Sequence, residues 1–335
     1  MRRRLLPFLA TSFPYNYLCC MPHLLYLAPL RGITDHVFRT TFEQFFGRFD
    51  YLMTPFITTV KGREVAESHI KDIIGEENDR KRLIPQILGN DPDDFLLLAR
   101  HMYRLGYNLI NWNLGCPHPQ VTRKKRGSGL LSHPDMAARL LDWVIPRLPC
   151  ALSAKVRLGM DDTNELERLM PVLNGFPLAE VIIHPRTARQ GYAGTVDLER
   201  FGETAARCRH PVVYNGDILR LEDFRERRGR FPHIERWMIG RGAVRNPFLL
   251  ESIRIDRNRW VDFSILRHFH DALFEQNSDL LHGPAHLLGK MKEFWGYFSG
   301  IFENSHEVLK TIQRCVTRES YRRRVDEVFN RYGTG

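Results

Sequence analysis

No two of the six cysteines (Cys19, Cys20, Cys116, Cys150, Cys208 and Cys315) stand in C-x-x-C spacing, so the commonest zinc and dithiol motifs are absent. A chain of 335 residues has no need of a disulfide framework either, which favours a reducing compartment, here read as the cytoplasm. The fourteen histidines form no H-E-x-x-H or other ligand cluster, and no metal is expected. Neither a P-loop nor G-x-G-x-x-G occurs, so any bound nucleotide must be held in another way. No segment reaches the ~20 uninterrupted apolar residues of a membrane span, and no membrane partner is expected. The start, "MRRRLLPFLATSFPYNYLCC", is basic and then apolar like a secretory signal, but it lacks an A-x-A-like cleavage site and is broken by Pro7 and Pro14. Residues 1–22 are expected to be a disordered leader, the alternative being a true start at Met21.

What the chain does have is an excess of positive charge, +10 with a pI near 9.5, in an otherwise ordinary globular composition. That excess favours a polyanionic partner, although a merely basic protein explains it equally well. Eight short β-rich runs end in Pro, Gly or a polar residue: His23–Pro29, Asp50–Pro55, Leu83–Gly89, Leu109–Gly115, Ala151–Arg157, Glu180–Pro185, Pro211–Gly216 and Arg236–Gly242. Segments of helical spacing separate them. In one, Asp91 can cap, Pro92 suits the first turn, and Phe95, Ala99, Met102 and Leu105 share a face.

Eight strand–helix units predict a (β/α)8 barrel over 23–254 rather than a doubly wound open sheet. The strand ends support this choice, because nearly every one delivers a special residue to the face where barrels keep their chemistry. These are Pro29, Thr54, Gln86, Asn113 with Cys116, Lys155 with Arg157, His184, Asn215 with Asp217, and Gly240 with Arg241. After about Ile255 strands cease, and aromatic-rich helical patterns predict a small all-helical domain over 255–335. Its Lys290, Lys292, Arg314, Arg318 and Arg322 to Arg324 can form a surface for nucleic acid; a solvated face balanced by nearby acids reads equally well.

The last two strands lead into "YNGDIL" and "IGRGAV", the loops where barrels often bind phosphate. Gly216, Gly240 and Gly242 expose amides there and Arg241 supplies charge. Lys155 and Arg157 alternate out of an apolar strand toward the barrel mouth, and a buried lysine needs an anion. Reduced flavin is such an anion, with Gln86 against its pyrimidine edge and Pro29 against the ring. His184, at a strand end, is either a ligand or a satisfied core residue.

Cys116 lies between Gly115 and Pro117 in "NWNLGCPHPQ". A thiol with an ordinary pKa near ~8.5 is mostly protonated, so it can give a proton to a carbon that receives hydride from the other face. An inert buried thiol, or a nucleophile with a base still to be found, are the competing roles. Asn113, one alternation earlier, can help hold the substrate ring. Beyond it, "RKKRGSGLL" places Arg123, Lys124, Lys125 and Arg126 before Gly127 and Gly129; it reads as a loop hinged on the glycines whose charges meet phosphates, with a solvated charge run as the competing reading.

The motifs "LAPLRGITD", "PQILGN", "NLGCP", "GSGLL", "AKVRLG", "IHPRTARQGYAG", "NGDI" and "IGRGA" stand in the order found in the bacterial tRNA-dihydrouridine synthases, which the chain resembles from about Leu24 to Pro247. The resemblance implies an FMN enzyme that uses NADPH to reduce the C5–C6 bond of particular uridines in tRNA. It implies that Cys116 donates a proton to C5 while flavin N5 delivers hydride to C6. It places Pro29, Leu30, Arg31, Gln86, Lys155, His184, Asn215, Gly216, Asp217, Gly240 and Arg241 at the cofactor. Asn113, Arg157 and Arg186 fall on the substrate side, joined by the 123–126 cluster and Arg322, Arg323 and Arg324. The chain departs from the family's usual residues at Leu30 (usually Met), Arg31 (often acidic or small and polar), and Val196 and Leu198 (commonly Ala and Trp). Two other readings stay open: a barrel flavoprotein acting on a free pyrimidine or small enone, and a tRNA-binding protein without catalysis. Nothing in the sequence demands more than a monomer.

Overall fold

The computed structural model describes residues 23–62 and 65–332; the leader expected at 1–22 lies outside them. Among the described residues there are ten short strands: β1 (Leu24–Leu27), β2 (Tyr51–Met53), β3 (Ile57–Thr58), β4 (Leu83–Ile84), β5 (Gln86–Leu88), β6 (Leu109–Leu114), β7 (Ala151–Gly159), β8 (Val181–Thr187), β9 (Val212–Tyr214) and β10 (Arg236–Ile239). All pair in parallel, in the order β3-β5-β6-β7-β8-β9-β10-β1-β2-β4.

Ten segments make eight staves. Proline has no N–H for a ladder, and Pro55 and Pro85 split the second and third staves into β2/β3 and β4/β5. β2 pairs with β4 and β3 with β5, while β1 pairs with β10, so the ends of the order meet and the sheet closes as a barrel. Thr54, expected among the special residues at the mouth, is instead fully buried in this joint. Its Oγ accepts the Gln86 N–H at 3.1 Å, in place of a ladder bond.

Strand alternation then divides the core. Tyr26, Ala28, Met53, Ile84, Ile182, Val213 and Met238 fill the barrel interior. Their neighbours, such as Leu25, Leu27, Ile110, Trp112, Val181, Ile183 and Trp237, face outward into the larger cluster under the helices. Those helices are α1 (His36–Phe46), α2 (Glu67–Ile74), α3 (Pro92–Arg104), α4 (Pro119–Thr122), α5 (Pro134–Val144), α6 (Glu165–Asn174), α7 (Leu198–Arg207), α8 (Leu221–Arg230), α9 (Arg241–Arg245) and α10 (Leu249–Arg254). α3 starts as expected: the Asp91 carboxylate accepts from the N–H groups of Asp93 and Asp94, with Pro92 in the first turn.

The last described residues form four helices, α11 (Phe263–Leu280), α12 (Pro284–Phe298), α13 (Ser305–Gln313) and α14 (Arg318–Tyr332). They share the larger hydrophobic cluster with the barrel's own helices. Phe269 of α11 meets Phe38, Phe42 and Phe46 of α1 edge-on, with centroids 6.0, 6.3 and 4.9 Å away. Inside the tail, the Tyr321 hydroxyl accepts from Trp295 Nε1 at 2.8 Å and meets His270 Nε2 at 2.7 Å. Burial holds His270 below its ordinary pKa, so the neutral ring accepts from Tyr321 and its Nδ1–H donates to Asp271.

Among the described residues, no helix is long and apolar enough to cross a membrane, and no three His, Cys, Asp or Glu side chains are grouped to hold a metal ion.

Candidate active site

A cavity of ≈ 340 Å³ opens at the carboxyl ends of the strands, within the size range of small-ligand sites. It gathers Pro29, Leu30, Arg31, Gln86, Asn113, Cys116, Lys155, Arg157, His184, Asn215, Gly216, Asp217, Gly240 and Arg241, all singled out from the sequence. Alternation explains the set. The inner positions of β7 are Ser153, Lys155 and Arg157, and those of β6 are Asn111 and Asn113, which stand beside Ser153 and Lys155 in register.

These inner polar residues form a directed chain of hydrogen bonds. Asn111 Nδ2 donates to Ser153 Oγ (2.9 Å), Gln86 Nε2 to Asn111 Oδ1 (2.8 Å), and Asn113 Nδ2 to Gln86 Oε1 (2.6 Å). Asn113 Oδ1 then accepts the N–H groups of Gly115 (3.0 Å) and Cys116 (2.9 Å). Each amide is oriented by the one before it, and the last fixes the turn that carries Cys116. Gln86, read from the sequence as a flavin ligand, also points Nε2 at Met53 Sδ, so its free capacity is a lone pair on Oε1. Asn113 likewise keeps one N–H for a ligand.

The other side of the Cys116 peptide is held by the "GSG" segment. Ser128 donates its N–H (3.1 Å) and its hydroxyl (2.9 Å) to the Cys116 carbonyl. Gly127 has φ +57°, and a Cβ there would stand 2.8 Å from that same carbonyl oxygen. These contacts correct the hinge expected from Gly127 and Gly129: a Cβ at Gly129 would meet the Thr122 carbonyl at 2.5 Å, so both glycines are points of close packing. Burial raises the Cys116 pKa, opposed by the His118 N–H and the charges of Arg31 and Arg157, and the thiol is protonated at neutral pH.

Lys155 has no hydrogen-bond or ion-pair partner among the described residues, and burial, aided by Arg157, pushes its pKa down to about 7. His184 is held well below its ordinary pKa by burial and by Arg157 and Lys155. Its neutral ring donates Nδ1–H to the Asn215 carbonyl at 2.7 Å, which leaves Nε2 a buried acceptor without a donor. Arg157 directs its guanidinium at the carbonyls of Gly115 (3.0 Å), Thr187 (2.8 Å) and Gly191 (2.8 Å), which ties together the loops after β6 and β8.

At the far wall, the N–H groups of Gly216, Asp217, Arg241 and Gly242 have no acceptor among the described residues. Gly242 lets the second of these loops sit directly on the Ile218 carbonyl of the first. Arg186, placed on the substrate side by the sequence, does not line the cavity. It is 1% exposed and pairs with Asp217 (2.5 Å), which also pairs with Arg241. Burial works to raise Asp217, but the two arginines outweigh it and hold the carboxylate below its usual range.

The basic cluster does not enter the cavity. Arg123, Lys124 and Lys125 are exposed on the segment that packs behind Cys116, and Arg126 is half-buried with Nε on Asn90 Oδ1 (3.0 Å). Arg322, Arg323 and Arg324 are exposed on α14, away from the cavity lining, with Arg322 paired to Glu275 and Arg324 to Glu327. Sequence reasoning missed three aromatic residues of the lining: Phe56, Tyr192 and Tyr297. The guanidinium groups of Arg241 and Arg157 lie 4.3 and 5.7 Å from the Tyr192 ring centroid. Tyr192 sits inside the quoted "RQGYAG", so a signal existed. Tyr297 comes from α12, and nothing in the sequence says that this helix returns to the barrel mouth.

The chain matches the family model described as Dihydrouridine synthase (Dus) over residues 26–332. A tRNA-dihydrouridine(16) synthase of Cupriavidus necator is 30% identical over 69% of this chain and 73% of its own length. One from Neisseria meningitidis serogroup B is 28% identical over 84% and 90%. A tRNA-dihydrouridine synthase B of Pasteurella multocida is 27% identical over 67% of each. Among solved structures, histamine dehydrogenase from Rhizobium sp. 4-9 superposes with a TM-score of 0.53 over 70% of this chain and 46% of that one; at 11% identity this is a likeness of fold alone. With the match running from the first strand to the last helix, the chain belongs to the dihydrouridine synthase family.

Proposed function

We propose that the chain is an FMN-dependent, NADPH-driven enzyme that reduces the C5–C6 bond of a uridine in tRNA to 5,6-dihydrouridine, with position 16 as the target. It acts as a cytoplasmic monomer on this reading. The observation that carries it is the meeting, in one cavity, of a protonated thiol on a doubly clamped turn and a lysine without a partner among the described residues. Position 16 draws support from relatives named for it that match the tail as well as the barrel.

The residues present fit a flavin. The unpaired N–H groups at Gly216, Asp217, Arg241 and Gly242 suit a phosphate, with Arg241 beside them. Lys155 suits the anionic edge of the reduced ring, and the orphan Nε2 of His184 suits a donor on the cofactor. Held there and reduced, FMN would supply hydride chemistry toward C6. Cys116 Sγ–H gives its proton to C5, which completes the addition of H⁻ and H⁺ across the double bond, and the half-buried thiolate regains a proton from solvent. The free N–H of Asn113 is available to the uracil ring, which must leave its stack in the RNA to enter. The exposed 123–125 cations and the α14 arginines offer charge to the rest of the tRNA.

The test is a spectrum of the purified protein, followed in the same anaerobic cuvette by NADPH and then by tRNA lacking dihydrouridine. A flavin band that bleaches with NADPH and recovers with tRNA is expected. Cys116→Ala should bleach normally but recover about 10²–10⁴-fold more slowly, the usual contribution of a general acid. A protein that stays colourless when FMN is offered, or a Cys116→Ala variant that recovers at the wild-type rate, would sink the reading.

A further inference from the structure

Among the described residues, four Lys and Arg side chains line the cavity: Arg31, Lys155, Arg157 and Arg241. Arg157 is committed to three carbonyls and Arg241 to Asp217 and Tyr192. Lys155 is deep, on an inner position of β7. Arg31 differs from all three. It is exposed at the rim, has no hydrogen-bond or ion-pair partner among the described residues, and holds its guanidinium 5.6 Å from the centroid of Phe56, itself a lining residue. Cys116 feels its charge.

The turn that presents Arg31 is rigid. Thr34 Oγ accepts the Leu30 N–H (2.8 Å), and the Leu30 carbonyl accepts from Ile33 and Thr34 (3.0 Å each). From the tail, Lys290 of α12 donates to the Gly32 carbonyl (2.7 Å) and pairs with Asp35. A planar cation fixed over an aromatic ring at the entrance, beside the acid, suits the phosphate that accompanies a base into the cavity.

We propose that Arg31, backed by Phe56, is a substrate-binding residue that grips the RNA backbone phosphate next to the uridine undergoing reduction. This rests on the RNA-directed reading above, and it moves the Arg31 side chain from the cofactor, where the family resemblance put it, to the substrate. The shared chemistry is a nucleotide phosphate, which NADPH also carries, so the experiment separates the two half-reactions.

Wild type, Arg31→Ala and Arg31→Lys holoenzymes are compared for flavin content by absorbance, for bleaching by NADPH, and for reoxidation by unmodified tRNA across a salt series. Arg31→Ala should keep its flavin and its NADPH step, raise the KM for tRNA about 10-fold, and flatten the log–log salt dependence of tRNA binding by about one unit. Arg31→Lys should keep the salt slope while losing part of the affinity. An unchanged KM and slope in Arg31→Ala overturns the proposal, as does a defect confined to NADPH, which would assign the phosphate to the nicotinamide nucleotide. Wild type that no tRNA reoxidises removes the functional reading and this proposal with it; wild type reoxidised normally beside an unaffected Arg31→Ala removes this proposal alone.

Discussion

Replacing Lys155 with Met is expected to stabilise the flavin-free protein while weakening its hold on the flavin. Burial, with Arg157 second, brings the Lys155 ammonium from an ordinary pKa of 10.5 to about 7. At ~1.4 kcal/mol per unit, that depression corresponds to a folding cost of up to about 5 kcal/mol, less whatever local relaxation recovers. Because the folded pKa lies below the unfolded one, the unfolded chain binds more protons between pH 7 and 10.5. Stability therefore rises as pH climbs through that window, and the full cost is present at pH 7 and below. Met keeps the volume of the lysine stem and opens no cavity. In a chain of 335 residues the relief should raise Tm by about 3–7 °C at pH 7 and shrink to about 1 °C near pH 10. Added FMN should raise Tm more in the wild type than in the variant, since the variant binds it less tightly. Thermal melts from pH 6 to 10, with and without FMN, measure all of this. A flavin-free Lys155→Met protein that melts below wild type at pH 7, or a Tm difference that ignores pH, refutes the assignment of Lys155 as a cation kept for a ligand.

Asn111→Ala leaves Gln86 Nε2 without an oxygen acceptor in a fully buried site, which should cost about 1–3 kcal/mol of stability. It also removes what orients the amides ahead of Cys116, so tRNA turnover should fall at least ~10-fold with NADPH bleaching intact. A lower Tm with unchanged turnover would make the amide chain merely structural. Reversing the charge of Arg322, Arg323 and Arg324 to Glu should weaken tRNA binding and leave the flavin site filled. Arg323 should account for most of that effect, because Arg322 and Arg324 are already paired with Glu275 and Glu327. Equal affinity in a gel-shift or filter-binding assay would remove α14 from the RNA interface.

The staves were readable because each is short, apolar and ended by a residue that breaks or redirects the chain. What alternation cannot reveal is a partner across the barrel. Gln86 and Asn113 read as two ligands, yet each spends hydrogen bonds on the other, and the residue that orients them, Asn111, attracted no notice. Gly127 and Gly129 read as hinges because glycine permits motion and close approach alike, and only the Cys116 and Thr122 carbonyls beside them decide between the two. Lys290 read as one cation of a basic face; its contacts with Gly32 and Asp35 belong to tertiary structure and leave no local mark. Arg157 lines the cavity, but its three carbonyl partners lie on loops whose approach no motif encodes.

The expected boundary near residue 255 separates strands from helices, but it does not separate two cores. Phe269 of α11 lies among the phenylalanines of α1, and Gln276 Nε2 donates to Thr41 Oγ at 2.9 Å. α12 goes further, because it supplies Tyr297 to the cavity wall and Lys290 to the turn that presents Arg31. A single helix thus touches both the cavity wall and the turn that presents Arg31. Choice of one uridine in a folded RNA depends on where the rest of that RNA rests relative to the entrance. A tail joined by a flexible linker would leave that distance unspecified, whereas one sharing the barrel's core and stapled to its first loop fixes it. Under the proposed function, a tail so seated would contribute to selectivity through its seating as much as through its charge, and a tail exchanged between relatives would have to bring its own counterparts of Lys290 and Tyr297 to leave the cavity intact.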